Sequence, residues 1–109
     1  MGRVINIANK LDREPRFLVV DDTHKYKVNC TKNVVMKVMD LDEKEPNYLD
    51  EMLKLLIGGE ALREIEEMGL PYDNWVIIMK AAVAIATNKS YDEVENDFRG
   101  EEEAKPDVV

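Results

Sequence analysis

Nucleophilic catalysis needs a serine, cysteine or threonine beside a base, normally histidine. This 109-residue chain holds one histidine, His24, and one cysteine, Cys30. His24 closes a polar run, Asp21-Asp22-Thr23-His24, with no motif around it, and reads as turn filling. Cys30 has no second cysteine for a disulfide and no companions for a zinc site. A reactive thiol needs electropositive surroundings, so Cys30 reads as a small buried residue. Glu60, Glu64 and Glu67 can share one helical face, and grouped carboxylates can hold Mg²⁺ or move protons. Arg63, however, stands three residues after Glu60 and four before Glu67, the spacing of a solvated ion-pair face. Gly58-Gly59 lacks the Lys-Ser/Thr of a phosphate loop and follows a helical pattern, so it reads as a helix stop. No catalytic, cofactor-binding or metal-binding residue is expected, and no enzyme.

Composition narrows the class. Hydrophobic residues make up 45% and charged residues 35%, enough for a core and unlike a disordered chain. Aromatics at 6% leave core filling to Leu, Ile, Val, Ala and Met. The length suits one domain. No apolar stretch is long enough for a bilayer span and no basic-then-apolar leader opens the chain, so a cytoplasmic domain without membrane contact is expected. Net charge is −8, which opposes nucleic-acid binding because phosphate contacts need clustered Lys and Arg. The charge is uneven. Residues 1–37 hold eight bases against four acids, +4, which leaves −12 on the remaining 72. Such asymmetry is either solvated surface or a means to steer a partner or another copy of the chain.

The elements follow from periodicity. Residues 1–15 are hard to assign, although Val4-Ile5-Asn6-Ile7 has the pattern of a short strand. Arg16–Val20 and Lys25–Asn29 are β-rich runs across a polar turn, a hairpin. The second alternates, with Tyr26 and Val28 on one face; the first is apolar on both faces and so must be central or covered. A lone hairpin is marginal in water and must lean on helices.

From residue 32 the period becomes helical. A first helix over 32–42 carries Val34, Val38, Leu41 and Val35, Met39 on its inner stripes, with Thr31 as N-cap. Asn47 is expected to cap a second helix, Tyr48–Ile57, whose apolar face is wider than one core contact needs. A third runs from Glu60 to Met68, and Pro71 and Asp73 mark the start of a fourth, Asp73–Thr87. In that fourth helix Lys80 alone interrupts Trp75 to Ala86, so it must be buried on all sides, by its own domain or by another chain. At about 22 Å it is too short to cross a bilayer. Ser90-Tyr91-Asp92-Glu93 is a capping box opening a fifth helix with Tyr91, Val94 and Phe98 on its docking stripe. Gly100 is expected to end it and 101–109 to form an acidic flexible tail. The expected architecture is α+β: a poorly defined segment over 1–15, then one domain over 16–99 with an N-terminal β-hairpin and a compact bundle of about five short helices.

The run Leu55-Leu56-Ile57-Gly58-Gly59-Glu60-Ala61-Leu62-Arg63-Glu64-Ile65-Glu66-Glu67-Met68, the Leu70-Pro71-Tyr72 break, the apolar helix and Ser90-Tyr91-Asp92-Glu93-Val94-Glu95 together resemble the small tail assembly chaperones of long-tailed bacteriophages and their prophages. The resemblance covers about residues 16–99. It implies a strand-containing segment before a helical bundle, and a non-enzymatic role in the bacterial host cytoplasm. It further implies binding of the hydrophobic tape measure protein before tail tube subunits polymerise around it. Many such proteins are made in two lengths, and the resemblance implies the shorter form, without the extension said to recruit the tail tube protein. Met52, Leu56, Trp75, Ile78 and Met79 are the expected protein-binding residues, chosen because their helices carry more apolar area than one bundle hides. Self-association through the fourth helix is a further expectation. Two other readings compete: an acidic mimic of nucleic acid, motivated by the −12 of residues 38–109, and a small regulatory module that pairs with one protein.

Overall fold

A computed structural model describes residues 2–104, with side chains described through residue 97. A 3₁₀ turn, Ala8–Lys10, is the one regular piece before the hairpin. Strands β1 (Arg16–Asp21) and β2 (His24–Val28) pair antiparallel, with Leu18 opposite Tyr26 and Arg16 opposite Val28. The turn is built by one carboxylate. Asp21 Oδ1 accepts the backbone N–H groups of Thr23 and His24 at 2.9 and 2.8 Å, a local bond that suits aspartate to turns. The register slips between Val19 and Asp21, so the turn end of β1 carries a bulge.

Five helices follow: α1 (Lys32–Asp40), α2 (Tyr48–Ile57), α3 (Gly59–Glu67), α4 (Tyr72–Thr87) and α5 (Tyr91–Ala104). The architecture is the expected α+β hairpin and helical bundle. No described helix is long and apolar enough to cross a membrane. Helix α2 lies against α1, α3, α4 and β2, and α4 against α2, α5 and both strands. Leu18, Val28, Val38, Met52, Leu53, Leu56, Ile65, Ile78, Met79, Ala82 and Ala86 form one buried cluster.

Helix ends show which signals the chain uses. Ser90 Oγ accepts the Glu93 N–H at 3.1 Å, and the serine hydroxyl in turn donates to the Glu93 carboxylate at 3.3 Å, so the capping box forms with its return bond on the hydroxyl. Thr31 and Asn47 occupy the N-cap positions of α1 and α2, but neither side chain caps. The Thr31 hydroxyl donates to Asn29 Oδ1 at 2.9 Å instead, because an Asx turn at the end of β2 takes it first. Helix α4 stops on Asn88 in the left-handed conformation (φ 58°), with Lys89 N–H donating to Ala84 O at 2.9 Å. Helix α5 runs through Ala104, past the expected stop at Gly100. A glycine inside a helix costs only about 1 kcal/mol relative to alanine, and Glu101-Glu102-Glu103-Ala104 continues the helical preference. The side chain of Phe98, expected on the α5 docking stripe, lies outside the described residues, as do residues 105–109.

Two expectations about apolar faces are corrected. β1 is neither central nor covered: Leu18 is buried, while Phe17 and Val19 on the outer face are 43% and 63% exposed. The sheet has only two strands and the helices pack on one side of it. Lys25 Nζ sits 4.5 Å from the Phe17 ring centre, so a cation–π contact and the lysine stem shelter the ring. Helix α4 is central but not sealed. Ile78, Met79, Ala82, Ala84 and Ala86 are buried by this chain alone, whereas Tyr72 and Ile77 face solvent.

The hairpin is fastened to the bundle by Arg16. Its Nη1 donates to Ile85 O at 3.0 Å and Ala86 O at 3.5 Å, carbonyls in the last turn of α4, where a cation also meets the negative end of the helix dipole. Replacing Arg16 with Met should cost about 1.5–3 kcal/mol of stability. The exposed Lys27→Met should change it by less than about 0.5 kcal/mol. Urea titrations of the two variants check this; equal midpoints would remove Arg16 as the fastening.

Candidate protein-binding surface

The residues singled out for chemistry do not assemble. His24 Nδ1 lies 2.7 Å from Asp21 Oδ1 and 3.0 Å from Thr23 Oγ1, inside the exposed turn. The hydrogen bond from His24 first, then that from the Thr23 backbone, holds the Asp21 carboxyl below the usual range. That pair shapes the turn and reaches no other reactive group. Cys30 is half-buried between β2 and α1. The three glutamates of α3 go separate ways: Glu64 accepts the Tyr26 hydroxyl at 3.0 Å, Glu67 accepts Arg63 Nη1 at 2.7 Å, and Glu60 is exposed. Among the described residues no three His, Cys, Asp or Glu side chains converge as metal ligands.

The expected binding residues are placed mostly inside. Met52, Leu56, Ile78 and Met79 belong to the buried cluster, and only Trp75 is partly exposed. Met52, Ile78 and Met79 therefore offer a partner no open surface, and Leu56 reaches only the edges of two clefts. The wide apolar face of α2 is accounted for by its four neighbours, since a helix packed on several sides needs apolar residues on several sides.

The apolar surface that does face water lies elsewhere. On α1, Met36 is 53% and Met39 70% exposed, one helical turn apart. The inward placement expected for Met39 is thus corrected. Helix α1 leans on α2 along one narrow face, which Val38 fills, and the second apolar stripe turns outward. Beside Met39 an apolar dimple of about 60 Å³ opens between α1 and α4, lined by Val35, Val83, Ala86 and Thr87 with the edges of Val38 and Leu56. Phe17 and Val19 on the hairpin, Tyr72 and Ile77 on α4, and Val4, Ile5, Ile7 and Leu11 before the hairpin complete the set. Methionines beside a shallow apolar dimple suit a surface that accepts varied side chains. The sequence signal was present in the two apolar stripes of the nine-residue helix Lys32–Asp40, of which only Val38 is fully buried.

Glu60, Glu66, Glu67, Asp92, Glu93 and Asp97 are exposed on α3 and α5, so those two helices present hydrated acidic surface. Comparison with protein families, with curated proteins and with solved structures finds nothing that matches this chain.

The Tyr26–Glu64 bond, which ties the hairpin to α3, makes a pH prediction. Burial first, then donation of its hydroxyl to the Glu64 carboxylate, pushes Tyr26 up to about 12 from an ordinary 10. Folding therefore favours the neutral phenol. Its contribution is fully present below about pH 10 and is lost as pH rises from there through about 12. Tyr26→Phe should flatten this alkaline loss in urea titrations run across that window. An unchanged alkaline slope would separate Tyr26 from it.

Proposed function

We propose that this chain is a non-enzymatic assembly chaperone that covers apolar helical segments of a client protein, and that the client is a phage tape measure protein. The observation that carries the reading is the outward Met36–Met39 face of α1 with the apolar dimple beside it, on a body of net charge −8. A protein that holds a hydrophobic client needs accessible apolar surface and enough net charge to keep the complex dispersed. An amphipathic helix laid along α1 would bury methionine and valine side chains in the helix-in-groove manner. The client's identity rests on the resemblance of Leu55–Met68 and Ser90–Glu95 to tail assembly chaperones. The client-contacting residues in this reading are Met36 and Met39, with Val35 and Val83 at the dimple and Leu56 at its edge, in place of the buried Met52, Ile78 and Met79.

Co-expression with a phage tape measure protein, the client the reading names, tests it. The expected outcome is a soluble client that co-purifies with the wild-type chain. The double variant Met36→Asp/Met39→Asp should lose the client while keeping the wild-type circular dichroism, because exposed substitutions shift stability by only about 0.5 kcal/mol each. A client that stays insoluble with the wild-type chain would overturn the proposal. Capture that weakens steeply with salt and survives the double variant would favour the acidic mimic instead.

A further inference from the structure

A second cleft lies apart from the Met36–Met39 face of α1. It has a volume of about 750 Å³ and runs between residues 13–16, the end of β2 with residues 29–31, and the junction of α2 with α3. Its cations are Arg13, Arg16, Lys27 and Lys54, and its one acid is Glu14. In a chain with 23 acidic and 15 basic residues this is an inversion of the average. Arg16 is engaged by the α4 carbonyls and by Asp12 Oδ2 at 3.6 Å. Arg13, Lys27 and Lys54 make no ion pair with any described residue. Lys54 places its Cε against the first residue of α3, 3.9 Å from where a Gly59 side chain would begin. The N-terminus of α3 has no side-chain cap, so a lysine and the positive end of a helix dipole stand side by side on one wall. Like charges brought together at a concave surface focus a potential that an anion relieves.

We propose that this cleft is a docking site for a carboxylate-rich peptide segment of a partner protein. Charge complementarity sets the sign of the ligand. Leu55 and Ile57, both half-buried, line the same cleft and provide an apolar floor for a side chain carried between the carboxylates. A nucleic-acid backbone fits less well. It needs an extended basic track, whereas these cations are confined to one cleft. The site is separate from the Met36–Met39 face, and either can hold without the other.

The test uses the full chain and a labelled peptide of repeating Glu-Glu-Leu, followed by anisotropy and by amide NMR shifts. Saturable binding is expected, with shifts concentrated at Asn29, Cys30, Thr31 and Gly58. Raising salt should weaken it, and Arg13→Ala/Lys27→Ala/Lys54→Ala should weaken it about tenfold or more, each exposed pair contributing a factor of a few. All three positions face solvent, so the variant keeps its fold, and its circular dichroism confirms that. The same peptide with Lys for Glu, and inorganic phosphate, should produce no saturable shift. Absence of binding, shifts centred on Val35–Met39, binding unchanged in the triple variant, or tighter binding of oligothymidylate than of the peptide would each overturn the proposal.

Discussion

The fold depends on how closely α2 and α4 approach. Ala82 and Ala86 share the buried cluster with Leu53 and Leu56, and Leu53 and Ala82 are both fully inaccessible. Small residues on α4 leave room for leucines on α2, the alternation of large and small that a dense interior requires. Ala84, two residues along, lies on the opposite face of α4, where α5 packs and Val94 is buried. One helix thus serves two layers, and its low side-chain volume is what permits it. The hairpin, α1 and α3 are then arranged around α2, each with less burial than the centre.

That gradient explains where the chain can offer surface. Residues on the two central helices have their apolar area used by neighbours, whatever their hydropathy. Peripheral elements with fewer neighbours, α1 above all, keep apolar side chains to spare. The hairpin shows the same economy: Tyr26 and Val28 turn inward, while Phe17 lies beneath the Lys25 stem and Val19 stays open to water. Apolar surface open to contact with another chain is therefore a property of the rim.

Much of the architecture was legible in the amino acids. Strict alternation in Lys25–Asn29, the glycine pair after Ile57, the Pro71 break and the Ser90–Glu93 box marked the element boundaries because each acts through its own backbone. What failed was whatever depended on neighbours. A wide apolar face on α2 meant several partners within the chain, and hydropathy cannot distinguish that from one partner outside it. The direction of Met39 was ambiguous because methionine suits core and surface alike. Thr31 was a sound cap by type, but Asn29 competed for its hydroxyl. The cationic cleft joins Arg13, Lys27 and Lys54 from three separate segments, and linear charge counting spreads them apart.

Gly58 alone separates α2 from α3, with φ 92° and ψ 156°, a backbone region that only glycine occupies without strain. A methyl group placed there would meet no atom within 4 Å. The position is spacious and yet closed to every other amino acid, since torsion rather than volume excludes them. The elbow between two helices is therefore governed by one pair of dihedral angles, and mutational tolerance mapped by packing alone would misjudge the most demanding joint in the chain.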